Sequence, residues 1–336
     1  MVVLADPLRR RLTVALAALA LALPIARPVS GAPAAARSFA SPEEAAQALA
    51  AATAANDAKA MLAVLGPEAQ PLLTSGDLVA DQNARKRFTQ AYQAGHSLVM
   101  GADGDTVLQV GADGWPFPIP LVKTDAGWHF DAETGREEIL DRRIGANELS
   151  TIQVCLAYVD AQREYYDLDP DHAPLLHYAQ KLASTPGKYD GLYWDAKPGE
   201  PESPLGPLLG RAWAEGYKAG SGKGDPYHGY YFRLLTAQGP AAAGGAYDYI
   251  AHGKMIGGFG LLAYPAKWDN SGVMTFMVNH DGVVFQKDLG PNTAAAAKAI
   301  TSFNPDETWQ RVDHQDLTDG GAMPVEQSQP AAEPRG

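Results

Sequence analysis

The chain has 336 residues, 46% of them apolar with 58 alanines among these, and 39 acidic against 27 basic side chains, a net charge of −12. That length supplies one large or two ordinary domains, and an acidic balance without a basic stripe argues against a nucleic-acid partner. The single cysteine, Cys155, excludes an intrachain disulfide, a CxxC redox pair and cysteine-rich zinc sites.

Arg9, Arg10 and Arg11 precede the apolar run Leu12–Ala26, and small residues follow through Ala36. A basic head, a greasy run and Ala34-x-Ala36 read as a secretory signal over 1–36, cleaved after Ala36. A helix of that run spans roughly 22 Å, short of a hydrocarbon core of about 30 Å. The triple arginine fits either the general or the twin-arginine route. No later segment reaches 18 apolar residues, so no transmembrane segment is expected after signal cleavage, and the protein is expected in the periplasm or outside the cell.

Residues 37–145 read as a small α+β domain. Ser41-Pro-Glu-Glu44 opens a helix to about Ala55 with a capping box. A second helix follows Asn56–Asp57 and stops at Gly66–Pro67, and a third covers about 81–93. Short strands come next at 97–100, 106–110, 117–122 and 128–130. Trp115-Pro-Phe-Pro-Ile-Pro120 alternates apolar residues with prolines, which cannot donate to a ladder, so an edge strand or an extended rim is expected there. Thr134–Glu137 reads as a second capping box, opening a helix through Ile144, with Gly145 as a hinge.

Residues 146–312 read as a long helix packed on an antiparallel sheet. The helix 147–166 carries Leu149, Ile152, Leu156, Val159 and Tyr166 near 3.6-residue spacing, with Cys155 on that buried face. Residues 184–228 are rich in Pro and Gly and read as loops. Strands are expected at 230–236, 247–250, 255–264, 273–279 and 283–288, with Asp281–Gly282 as a hairpin turn. A final helix runs from Pro291–Asn292 to about Phe303, and residues 313–336 read as a disordered tail.

The chemistry on offer is sparse. There is no G-x-S-x-G, S-x-x-K, H-E-x-x-H or H-x-H in the chain. Gly220-Ser-Gly-Lys-Gly224 lacks both the leading glycine and the Ser/Thr of a phosphate loop and reads as a plain loop. Asp167-Leu-Asp-Pro-Asp171 alternates carboxylates that could converge on Ca²⁺, with Asp167, Asp169 and Asp171 as ligands, but His172 stands where the calcium loop needs glycine. His172 and His177 make a weaker transition-metal spacing. Tyr189, Tyr193, Trp194, Tyr227, His228 and Tyr230 crowd the loop region with Asp190, Lys188 and Lys254. Such a set forms either a ligand or peptide groove or an anchor for long loops; Tyr193, Trp194, Tyr227, His228 and Lys254 are its binding candidates. No residue is singled out as catalytic.

Ser184-Thr-Pro-Gly-Lys-Tyr-Asp-Gly-Leu-Tyr-Trp194 resembles a block of an uncharacterised bacterial family, the domain of unknown function 2950. So do Tyr227-His-Gly-Tyr-Tyr-Phe232, Leu235–Pro240, the stretch from Val278 through Asp281–Gly282 to Gly290, Trp115–Pro120 and Gly135-Arg-Glu-Glu138. The resemblance spans nearly all of 39–312 and implies no established activity. More weakly, 147–290 is similar to the soluble part of pilin-like proteins, without a prepilin signal running into the helix, and the first domain to NTF2-type cones. The sequence thus predicts an exported, non-catalytic binding or assembly module with a protein or envelope partner and no cofactor beyond the calcium considered above. The alternative is a hydrolase of cell-envelope material acting around His228.

Overall fold

The computed structural model describes residues 36–101, 104–217 and 225–312. Residues 1–35 of the expected signal segment, the expected loop at 220–224 and the expected tail at 313–336 lie outside these. The architecture is α+β, as expected.

Helix α1 (Pro42–Ala54) starts where Ser41 Oγ accepts from Glu44 N at 3.2 Å, while the Glu44 carboxylate reaches back to Ala40 N. Its buried face, Ala45, Ala46, Leu49 and Ala52, is mostly alanine, which lets neighbouring elements approach closely. Helix α2 (Ala58–Leu65) is capped by Asp57. A 3₁₀ turn at Pro67–Ala69 and the short α3 (Gln70–Leu73) follow, neither foreseen from the sequence. Helix α4 (Leu78–Ala94) begins a turn earlier than expected because Asp77 caps it, accepting from Val79 N and Ala80 N.

Five antiparallel strands follow: β1 (His96–Met100), β2 (Thr106–Val110), β3 (Trp115–Pro116), β4 (Leu121–Thr124) and β5 (Gly127–Phe130). Their order is β1-β2-β4-β5, with β3 also on β2. Of the strand expected at 117–122 only Leu121 and Val122 are strand, in β4, because Pro118 and Pro120 have no N–H for a ladder. Ile119 between them instead fills the core with Phe39, Leu49, Leu65, Leu121 and Phe130. Trp115 sits half-exposed beneath the Arg142 guanidinium, 5.4 Å from its ring centre.

Helix α5 (Ala132–Leu168) is one continuous 37-residue helix. The two helices expected on either side of Gly145 are therefore joined. A mid-helix glycine costs about 1 kcal/mol relative to alanine, but both flanks are held by packing: Ile139 and Leu140 against the first core, Ile152, Cys155, Tyr158, Val159 and Tyr165 within the second. The N-cap is Asp131, not Thr134; its carboxylate accepts from Thr134 N and Thr134 Oγ1. The deeply buried line is Thr151, Ile152, Cys155, Tyr158, Val159, Gln162 and Tyr165, whereas Leu149, Leu156 and Tyr166 are only half-buried. Polar residues enter that core because they are satisfied there: Gln162 donates to Ala179 O and accepts from Ala179 N, both at 2.9 Å. Burial pushes the Cys155 thiol up to about 12, which keeps it protonated and inert.

Helix α6 (Gly206–Ala214) interrupts the loop region. The second sheet runs β14 (Gln310–Arg311), β13 (Phe285–Asp288), β12 (Met274–Asn279), β11 (Gly260–Pro265) and β6 (Tyr230–Leu235) in that spatial order, all antiparallel. Two small ribbons pair β7 (Ala237–Gln238) with β8 (Tyr247–Asp248), and β9 (Ile250–Ala251) with β10 (Lys254–Met255). The expected strand 255–264 breaks at Gly257–Gly258, where a Cβ on Gly258 would lie 2.5 Å from His280 Nδ1. Alternation sorts the sheet's faces. Leu261, Ala263, Phe276 and Val278 join the core beneath α5, while Leu235, Leu262 and Met277 meet Ala297 of α7 (Thr293–Ala299) and Phe303. Helix α7 is shorter than the helix expected to Phe303. Arg233 donates to Ala297 O and Ile300 O at its C-terminal end, where carbonyls lack intrahelical partners. Asp281–Gly282 does turn between β12 and β13, with Gly282 N donating to Asn279 O.

A polar seam ties the first sheet's helices to the second sheet. Arg143 donates to Pro71 O, Leu72 O and Asn270 Oδ1; Asn270 Nδ2 donates to Pro71 O; Lys267 Nζ reaches Thr74 O.

Candidate functional site

The candidate residues gather around α6 and the segments it touches. Tyr193 and Trp194 lie in extended chain, so they point to opposite sides. Trp194 is buried, its Nε1 donating to Pro201 O at 2.9 Å and its ring edge-on to Tyr165 and Tyr189. Tyr193 stacks edge-on with the exposed Trp213 of α6, centroids 5.0 Å apart. The segment ahead of them is locked by Asp190, which accepts from Thr185 N, Thr185 Oγ1 and Lys181 Nζ. Burial alone would raise the Asp190 carboxyl, but Lys181 and Thr185 outweigh it and hold it at about 2. A carboxylate with a depressed folded value stabilises fully above its ordinary 3.8 and stops doing so as pH falls toward 2. Asp190→Asn is expected to cost about 1 kcal/mol at neutral pH, discounted for its exposure, and to flatten the stability profile between pH 4 and 2. Urea titrations across that range check both.

At the same C-terminal end of α6, where Glu215 is the C-cap, Glu215 Oε2 lies 2.8 Å from His228 Nε2, and both side chains are partly exposed. His228 adopts a left-handed backbone, φ 49°. Its ring meets those of Tyr217 and Tyr227 at 5.9 and 4.3 Å. Tyr217 OH donates to the buried Asp77 at 2.8 Å, and Gly229 N donates to the same carboxylate oxygen at 3.0 Å. Gly229 is required here: its φ is +76°, and a Cβ would lie 2.6 Å from Asn147 Nδ2. Burial, with the nearby carboxylates Asp77 and Glu215, pushes the Tyr217 hydroxyl well above its usual range, and burial lifts Tyr227 to about 12. Both phenols therefore stay protonated near neutral pH.

Lys254 belongs to a separate group. Its Nζ lies 2.9 Å from Asp171 Oδ2 and 2.8 Å from His177 Nε2, while His177 Nδ1 faces Tyr178 O at 3.0 Å. His177 Nε2 also lies 3.0 Å from Asp171 Oδ2, so the three side chains close a triangle. Desolvation would raise Asp171, but hydrogen bonds from Lys254 and His177 bring it below its ordinary value. Of the three carboxylates considered for calcium, Asp171 is thus engaged by two side chains. Asp169 occupies the left-handed C-cap of α5, and Asp167 sits in its last turn. Among the described residues no group of three His, Cys, Asp or Glu side chains is placed to hold a metal ion.

The structure therefore brings Tyr227 and His228 together, links Trp194 to Lys254 through Tyr165 and His177, and uses α6 to join the Tyr193 and His228 clusters. Sequence reasoning missed Asp77, His177 in this role, Trp213, Glu215 and Tyr217. Asp77 lies 140 residues from Tyr217 along the chain, and nothing local marks either as a partner. Among the described residues no helix is long and apolar enough to cross a membrane.

An α+β chain with two antiparallel sheets bridged by one long helix, and with aromatic clusters around the C-terminal end of α6, is the class these observations define. The chain belongs to the family described as protein of unknown function (DUF2950), which matches residues 36–312. No curated protein and no solved structure matches it.

Proposed function

We propose that the protein is exported and works as a non-catalytic binding or assembly module, with the α6 surface around Tyr193 and Trp213 as its contact region. One observation carries this reading: the polar groups of the candidate site are spent on one another. Asp77 accepts four hydrogen bonds, Trp194 Nε1 is fixed on a carbonyl, and Asp171, His177 and Lys254 satisfy each other. The exposed group is instead a large aromatic side chain, Trp213, of the type that anchors interfaces. Export rests on the basic head, apolar run and Ala-x-Ala ending of residues 1–36. N-terminal sequencing of the protein from the periplasmic fraction should begin at Arg37.

A photo-cross-linking residue at position 213 is expected to capture one envelope partner reproducibly in cells, and the same residue at position 175 should not. Self-links alone would count against the reading. The hydrolase alternative is favoured by the His228–Glu215 pair, the arrangement of a base and its orienting carboxylate. It predicts that His228→Gln abolishes release of cell-envelope fragments while leaving the melting temperature within a degree or two. The binding reading predicts no fragment release from the wild type, and a stability loss of about 1 kcal/mol in the variant.

A further inference from the structure

The first sheet has two edges, and among the described residues only one of them is covered by another segment. At β5, Phe39 N donates to Trp128 O at 2.8 Å and Trp128 N donates to Phe39 O at 2.9 Å, so residue 39 covers that edge. At the opposite edge lies β1, paired along all five residues with β2 and with no other strand among those described. The bonds Gly111 N to Gly95 O and Gly101 N to Asp105 O fix the phase of the ladder. Residues 95, 97, 99 and 101 bond toward β2, so the N–H and C=O groups of His96, Leu98 and Met100 turn outward. Natural edges are usually blunted by lysine, proline or an inward charge. His96-Ser-Leu-Val-Met100 has none of these, and Val99 and Met100 are 44% and 79% exposed.

We propose that β1 is the seam of a twofold homodimer, in which two copies pair antiparallel about Leu98 and join their first sheets into one. The occupant is a second copy for two physical reasons. The chain carries −12, and β1 is an uncharged strip on which two acidic copies meet without opposing like charges. Pairing about Leu98 sets Leu98 against Leu98, Ser97 against Val99 and His96 against Met100 of the second copy, with no like charges opposed. A single open edge also closes after two copies, because an isologous contact uses the same patch on both and leaves nothing for a third. This contact is distinct from the α6 surface and does not depend on it.

Sedimentation velocity of the purified mature chain should show a dimer. Met100→Pro removes an N–H that β2 does not use, so the fold is kept while the dissociation constant rises about tenfold or more. Val99→Lys, which adds charge to the seam without touching the backbone, gives the same loss should the proline variant fail to fold. The register has its own test. Ser97 and Val99 of the second copy form a non-hydrogen-bonded pair, close enough for a disulfide, and native Cys155 is buried. Ser97→Cys protein mixed with Val99→Cys protein should cross-link on oxidation, and neither should do so alone. A monomer at every concentration, a dimer indifferent to both edge variants, or equal cross-linking in unmixed samples would each overturn the proposal.

Discussion

Asp77→Ala lowers the stability of the folded chain by about 3–4 kcal/mol, the largest single-residue effect expected outside the apolar cores. Oδ1 accepts from Val79 N and Ala80 N, which caps α4, and Oδ2 accepts from Tyr217 OH and Gly229 N. Loss of an N-cap costs about 1 kcal/mol. The buried Gly229 N–H and the Tyr217 hydroxyl are then left without their acceptor, at about 1–3 kcal/mol for each group that finds no substitute. For a chain of this size the melting temperature falls by roughly 10 °C. Asp77→Asn keeps one oxygen and turns its amide toward two donors, so it should recover only part of the loss. Calorimetry of the two variants checks the ranking, and an alanine variant within 1 kcal/mol of wild type would mean that the carboxylate does not hold the His228 corner.

Arg143→Met is expected to cost about 2–4 kcal/mol. The methionine fills the aliphatic volume but abandons Pro71 O, Leu72 O and the Asn270 side chain. Burial draws the guanidinium pKa down while Asp81 draws it back up, so the charge is kept at working pH. The group joins the α3 turn to the loop preceding β12. Urea unfolding should therefore show a lower midpoint by both Trp128 and Trp268 fluorescence, read in single-tryptophan backgrounds. A shift confined to one tryptophan would show that the seam does not couple the two sheets.

Local chemistry made much of the fold readable. Ser41 and Asp57 capped the helices they were expected to open, the strands expected at 106–110 and 273–279 formed at 106–110 and 274–279, and Asp281–Gly282 turned as its composition demands. Errors arose where tertiary contacts outweighed local preference. Gly145 reads as a hinge between two helices, yet packing on both flanks carries α5 through it. Pro118 and Pro120 divide what apolar content marks as one strand. Leu149 and Leu156 look like core and lie at its margin, because Tyr158, Gln162 and Tyr165 take the inward positions with their polar atoms satisfied.

The candidate site divides along the same line. The aromatic richness of 184–230 and the lack of a catalytic signature are properties of composition, and the block 184–194 with the Tyr227–Phe232 strand identifies the family. What the side chains do was decided by contacts between distant segments. Asp77 meets Tyr217 and Gly229, Glu215 meets His228, and Lys254 meets Asp171 and His177, pairs separated by 13 to 152 residues. Caps, turns and alternation are set by neighbours a few residues apart, so the sequence by itself determined them. Which carboxylate neutralises which donor depends on where the long helix and the two sheets bring the chain back on itself, and burial makes an unpaired polar group costly there.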